Sequence, residues 1–402
     1  MSVLEPLSIN RRALCAGAAL AAGLGFTGLA HASKRKFRLM FDFPAGSAPV
    51  TRPTNCQHPR RRDELNKLYV STANQGWRLG ITVGGGSSPR YNVWDIDRPD
   101  YSHILALRHE SDAFEPLGLW PLCYGTVTTG GGRRTGSIYW VQEAKRHHAR
   151  ELVAFDPHGS QGVHPMGGLI KGFDGAMYGT TSGGGAHGVG TVFRVTTAGE
   201  LSALHHFDPS LQEGARPTQA ITAGPDGNYY GVTNDGGALL QGALFRMAPD
   251  GSMDTLHSFD AASEGGRPVA ALALGADGRL YGVTSEGGKH RGGTLFALGT
   301  DGSVEILHHF NAEDGMAPMG TLLALEDGAL VGTCSQAGAG GNGTIFKQFP
   351  SGKLIVRHAF AADGSEGAHP MAGLDLAING YLYGTARDGG AHGGGTLYSI
   401  AP

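Results

Sequence analysis

Along most of this chain apolar residues fall in short runs that alternate with polar positions, and the same runs return about every fifty residues. Thr191-Val-Phe-Arg-Val alternates as a half-buried strand does. A Tyr-Gly segment, Met177-Tyr-Gly-Thr-Thr, and a glycine-rich loop precede it, and a strand ending in Leu-His-x-Phe follows. A further short apolar run sits behind a proline in each copy: Pro165-Met-Gly-Gly-Leu, Pro217-Thr-Gln-Ala-Ile, Pro268-Val-Ala-Ala-Leu, Pro318-Met-Gly-Thr-Leu and Pro370-Met-Ala-Gly-Leu. Asp-Gly pairs at Asp174-Gly175, Asp226-Gly227, Asp277-Gly278 and Asp327-Gly328 close that run with the positive φ a tight hairpin needs. From the Tyr-Gly pair to the Thr-apolar-Phe triplet is thirteen residues at Tyr178–Thr191, Tyr230–Ala243, Tyr281–Thr294 and Tyr383–Thr396, and in the worn copies Tyr124–Ser137 and Leu79–Asn92.

Four strands per copy and seven copies predict an all-β fold, a seven-bladed β-propeller of four-stranded blades. The last copy stops after its third strand, at Leu397-Tyr-Ser-Ile-Ala-Pro402. Its missing fourth strand appears at the front of the chain as Phe37–Phe43, so an N-terminal strand is expected to close the ring and remove two sheet edges. One propeller domain is expected over 33–402. The recurring Tyr and Phe positions read as aromatic packing between neighbouring blades. The last-strand histidines, given as His206, His257, His309 and His358, recur with the repeat and are assigned to the fold.

The 67 glycines recur at fixed repeat positions, which is turn chemistry and not a linker composition. Residues 1–32 read as an export signal. Arg11-Arg12 precede the apolar run LCAGAALAAGLGFTGLA, and Ala30-His31-Ala32 offers a cleavage site. Asn10-Arg11-Arg12-Ala13-Leu14 is similar to a twin-arginine signal, so a periplasmic or secreted location is expected. Cys15 stands at the very start of the apolar run, which argues against a lipid anchor. No other segment is long and apolar enough to cross a membrane as a helix. A net charge of −3 argues against general nucleic-acid or anionic-membrane binding. Cys56, Cys123 and Cys334 follow the leader and allow at most one disulfide. Cys56 with Cys123 is the candidate pair, and Cys334 reads as a buried residue in a slot otherwise held by Thr181, Thr233 and Thr284.

These units resemble the bacterial GloVer tandem-repeat proteins, which read YGTT-x-GGG…GTVF…LHSF. The resemblance covers Phe37 to Pro402 and is closest from Cys123 onward. It implies exported or surface-anchored propellers and brings no agreed activity. Residues 44–65 depart from it as an insertion, and no anchor domain is expected after the repeats.

In a four-stranded blade the loop between second and third strands emerges on the same face as the connection to the next blade. The Asp-Gly hairpins emerge on the other. On the first face stand His187, His290 and His392, with Lys289, Arg291, Arg133, Arg134 and Asp235. Just before the inner-strand prolines stand His164, Arg216, Arg267 and His369, with Ala317 breaking the series. These side chains are expected to ring the mouth of an axial channel, where propellers bind ligands. Four residues ahead of each proline comes Gln161, Glu213, Glu264, Asp314 or Glu366, each followed by glycine. These read as turn acids that accept backbone N–H groups and pair with Arg216 and Arg267. One acid per copy does not make a calcium site.

The sequence carries no G-x-S-x-G elbow, HExxH, EF-hand loop, P-loop or CxxC pair. The glycine string Gly183–Gly190 links two strands and opens no helix, which removes a nucleotide reading. Lys145-Arg-His-His-Ala-Arg150 reads as a solvated turn. No cofactor and no metal are expected. The expected function is a monomeric, exported ligand-binding or scaffold protein, with an acidic polysaccharide or a protein as partner. Two alternatives stand beside it: a lyase or hydrolase acting on uronate-containing glycans, and a purely structural surface protein.

Overall fold

The computed structural model describes residues 149–299, 302–376 and 380–402 without a break. Ahead of them it describes residue positions 128, 133, 135 and 136 and the strands Phe37–Asp42, Thr54–Cys56, Asn66–Ser71, Arg78–Val83, Arg90–Trp94, Ile104–Glu110, Leu122–Val127 and Ser137–Gln142. Between 54 and 123 the description is of backbone only. The expected leader, the 44–65 insertion apart from its strand, the cluster at 145–148, Arg134 and the Cys56 and Cys123 side chains lie outside the described residues.

Among the described residues the fold is all-β, built of four-stranded antiparallel sheets, with one short 3-10 turn at Pro209–Leu211. In one sheet Ile170–Lys171, Met177–Thr181, Thr191–Val195 and Leu201–His206 pair in chain order, and Thr222–Ala223, Tyr229–Thr233, Ala243–Met247 and Met253–Ser258 repeat it. Two later sheets have a split inner strand. Gly266–Pro268 and Ala273–Leu274 both pair with Leu280–Glu286, and Met316–Pro318 and Leu323–Ala324 both pair with Leu330–Gln336. Among the described residues no helix is long and apolar enough to cross a membrane.

Thr191–Val195 is buried at every position except Arg194, where the alternation predicted a half-buried strand. The reason is that each of the four sheets between 170 and 359 packs against a neighbouring sheet on both faces, so its third strand has no solvent side. Solvent reaches the fourth strand instead, whose residues are mostly half-buried. Its terminal Phe packs onto the third-strand aromatic of the next sheet. Centroids lie 5.1 Å apart for Phe155–Phe193, 5.3 Å for Phe207–Phe245, 5.1 Å for Phe259–Phe296, 4.9 Å for Phe310–Phe346 and 5.2 Å for Phe360–Tyr398. Each such contact adds about 0.5–1.5 kcal/mol to the area it buries. The tyrosines behave differently from the phenylalanines. Tyr178 stacks on Tyr229 of the next sheet, but Tyr230 and Tyr281 donate to Asp226 and Asp277 of their own hairpins, at 2.9 and 2.6 Å.

The third and fourth strands share an irregularity. A bulge falls between Val192 and Phe193, and recurs at Leu244/Phe245, Leu295/Phe296 and Ile345/Phe346. Phe37–Asp42 lies antiparallel to Thr396–Ile400, from Phe37 opposite Ile400 to Asp42 opposite Thr396, with the same bulge between Leu39 and Phe41. The N-terminal strand thus takes the register of a fourth strand in the 375–400 sheet. Phe37 stacks on the His358 ring at 3.8 Å and lies 5.4 Å from Tyr398. Cys334 is fully buried, and burial pushes its thiol far up from the usual range.

Candidate functional site

The connection that enters each sheet is fastened before it reaches the mouth positions. In four sheets the acid of the acid-glycine pair receives a histidine from the fourth strand: His205 and Glu213 at 2.8 Å, His257 and Glu264 at 2.8 Å, His308 and Asp314 at 2.9 Å, His358 and Glu366 at 3.0 Å. The same carboxylates accept backbone N–H groups of Asp208, Asp260 and Ala361. Their own carbonyls accept a hydroxyl from the third strand, Thr294 to Glu264, Thr344 to Asp314 and Thr396 to Glu366. The following glycine has φ between 91° and 107° in all five copies, and an added Cβ at Gly214 or Gly265 would strike Thr233 or Thr284. The turn role of the acids therefore holds. Their partners do not match expectation: they pair with histidines and not with Arg216 or Arg267. The repeat histidine is also displaced by one at two places. It is His205 and His308 that occupy the slot of His257 and His358, whereas His206 and His309 stand one position later.

Beyond this fastening the chain passes through one residue before the proline, in the left-handed region at all five described copies. His164, Arg216, Arg267, Ala317 and His369 have φ of 57°, 53°, 53°, 52° and 53°. A non-glycine residue there costs about 1–3 kcal/mol. Two hydrogen bonds hold each in place. The N–H groups of Arg216, Arg267 and His369 reach Val189, Gln241 and Asn342 in the loop of the preceding sheet, and their carbonyls accept from Asn234, Ser285 and Arg387. Ala317 shares the conformation with no charge to display, so the strain is a property of the fold. The inner runs of consecutive sheets touch backbone to backbone, since a Cβ on Gly167 would meet Gln219 and one on Gly320 would meet Gly373. The mouth positions accordingly stand side by side on neighbouring sheets.

Their side chains are ion-paired, which the cationic reading of the mouth did not include. Arg216 Nη1 lies 3.7 Å from Asp235 Oδ2, Arg267 Nη1 3.2 Å from Glu286 Oε1, and His369 Nδ1 3.0 Å from Asp388 Oδ2. All are substantially exposed, with Arg216 at 68% and Arg267 at 50%. His164, whose counterpart is Gly183, turns its Nδ1 to the Thr128 carbonyl at 3.1 Å. For Ala317 the same slot holds Gln336, opposite Met316 in the strand register. The partner stands nineteen residues after the mouth residue. The sequence carries that pattern as Arg with Asp, Arg with Glu, His with Asp and Ala with Gln, and His164, with Gly183 in the partner slot, departs from it. Glu286 and Asp388 carry no signal at a single repeat position and stand out only when positions nineteen residues apart are taken together.

Of the loop-tip histidines, His187 lies 3.5 Å from Asp208 Oδ2, while His290 and His392 are exposed at their tips. On the hairpin face Arg279 is held by Glu305 at 2.6 Å, and Asn228 donates to Asp226.

Among solved structures the fold is similar to the extracellular domain of BT4673 from B. thetaiotaomicron, with a TM-score of 0.53 at 10% identity over 90% of this chain. This chain spans 40% of that one. A gluconolactonase, XC5397 from Xanthomonas campestris, aligns over 90% of this chain and 99% of its own at 14% identity and a TM-score of 0.44. The similar structures are propeller-like, and the likeness is one of fold. No curated protein matches the chain. The model of the Gloeobacter/Verrucomicrobia repeat matches residues 68–275 and 217–402, and the chain belongs to that family.

Proposed function

We propose that this is an exported, monomeric binding or scaffold propeller that presents a ligand face at His164, Arg216, Arg267 and His369, bordered by the loops of His187, His290 and His392. Seven blades over residues 33–402, closed by the N-terminal strand, would carry that face. Two contacts support closure: the pairing of Phe37–Asp42 with Thr396–Ile400, and the approach of Thr54–Cys56 to Asp375–Leu376. Export rests on the 1–32 leader.

The observation that carries the binding role is the contrast at the mouth. The backbone frame is identical in five copies while the cation–acid pair on it changes from copy to copy. Exposed ion pairs add only about 0–1 kcal/mol to stability, so the fold does not need them. A rim of paired guanidinium, imidazole and carboxylate groups offers donors beside acceptors. That suits a hydroxyl-rich glycan better than a strongly anionic one, because each cation already has its counter-charge. Calorimetric titration with neutral and uronate oligosaccharides tests this. Arg267→Ala should weaken binding about tenfold or more, with Asn228→Ala on the hairpin face without effect. Binding lost in the hairpin-face variant and kept in the mouth variant sinks the assignment. If no glycan shifts the melting temperature, the purely structural reading gains.

A second reading rests on one pair. The Asp388 carboxylate holds His369 Nδ1 at 3.0 Å and leaves Nε2 turned away from it, the arrangement of an oriented general base. A uronate lyase or hydrolase would use it so. Unsaturated products or new reducing ends from uronate polymers, abolished by His369→Ala, would favour the enzyme.

A further inference from the structure

Four of the glycine-rich tips between second and third strands are held by a side-chain acceptor directly before the terminal Phe of the fourth strand, and the acceptor differs between sheets, while Ala359 fills that slot under the 337–343 tip. Ser258 Oγ accepts the Ala238 N–H at 3.0 Å, and Asp42 Oδ1 accepts the Ala391 N–H at 3.2 Å. In two other sheets an imidazole does the same work. His206 Nδ1 accepts the Ala186 N–H and His309 Nδ1 accepts the Lys289 N–H, each at 3.3 Å. All four acceptors occupy one slot, directly before the terminal Phe of the fourth strand.

A neutral imidazole nitrogen accepts, but a protonated ring has two donors and no acceptor. Protonation would set an Nδ1–H against the amide N–H it now receives. The surroundings add to the effect. His206 is faced by His205, which is itself held by Glu213, and by His187 on the tip beside Asp208. His309 is faced by Lys289 and His290 on the tip and by His308, which is held by Asp314.

We propose that the 186–190 and 289–293 tips are acid-released clamps: protonating His206 and His309 frees them, while the tips held by Ser258 and Asp42 stay fastened. Burial first, and the neighbouring cations second, keep both imidazoles below the ordinary histidine range. The fastened state therefore favours the neutral ring. Its advantage is complete above the ordinary histidine value and is lost progressively below it, as pH falls through the lowered value of the folded state. The released tips carry His187 and Lys289-His290-Arg291, so acid would reshape part of one face whatever that face binds.

Amide solvent exchange read by NMR on the full chain, as protection factors at about pH 7.5 and about pH 5, tests the clamp. Protection at Ala186 and Lys289 should fall about tenfold, with Ala238 and Ala391 changing by less than about twofold. His206→Ser and His309→Ser copy the natural Ser258 and should keep protection at both pH values. Equal loss at all four amides, or loss that persists in the serine variants, overturns the proposal.

Discussion

Tyr398 carries a buried hydroxyl with no hydrogen-bond partner, in the slot that Phe193, Phe245, Phe296 and Phe346 fill in other sheets. A buried hydroxyl without a partner forfeits its hydration, so Tyr398→Phe should stabilise the protein by about 1 kcal/mol in chemical denaturation. A destabilised variant would mean that the hydroxyl is satisfied. Charged groups of two kinds can be told apart in the same way. Glu213 is 12% exposed and joins His205 to the Asp208 backbone, so Glu213→Ala should cost about 1–3 kcal/mol. Arg216 is exposed and paired only at 3.7 Å, so Arg216→Ala should change stability by less than about 0.5 kcal/mol. Equal losses would erase the distinction between fastening and display.

At the scale of the element, the fourth strand decides most. Its bulge turns the terminal Phe into the next sheet and leaves the preceding residue over the loop tip. Phe310→Ala would empty a fully buried site against Phe346 and should cost about 3–5 kcal/mol. Phe37–Asp42 does the same work from the far end of the chain, with its bulge, its stacked Phe37 and Asp42 over the Ala391 amide. Deleting residues 37–43 should lower the melting temperature sharply, because it strips Thr396–Ile400 to an open edge. Grafting the same seven residues after Pro402 with a short linker should restore it. A deletion that melts like the full chain would remove the strand from the fold.

For the whole molecule, stability should fall in two steps on acidification. His206, His309 and His358 sit below the ordinary histidine value of 6.5, chiefly through burial, so the unfolded chain takes up their protons first. Stability lost to them appears as pH drops through that value. The turn aspartates Asp208, Asp250 and Asp363 sit below 3.8 because serine hydroxyls and backbone N–H groups donate to them, and they act only lower down. Melting temperatures followed from about pH 8 to about pH 3 should show both steps. A single decline confined to the carboxylate range would remove the histidine contribution.

Sequence alone determined the all-β class, the four-strand unit and the Asp-Gly hairpins. These are local matters, since alternation, turn glycines and repeat phase are written within one unit. It also marked His164, Arg216, Arg267 and His369 as variable positions on a constant frame. Tertiary structure decided what faces each of them. A partner nineteen residues away, such as Glu286 for Arg267, lies beyond the reach of strand periodicity and meets it only when Gly266–Pro268 pairs with Leu280–Glu286. Burial of the third strand on both sides likewise follows from sheet packing, whereas His205 already holds the histidine place of Leu-His-x-Phe, and the fold adds only that this place meets Glu213. A bulge shifts every later side chain to the opposite face, and no count along the chain reveals where it falls.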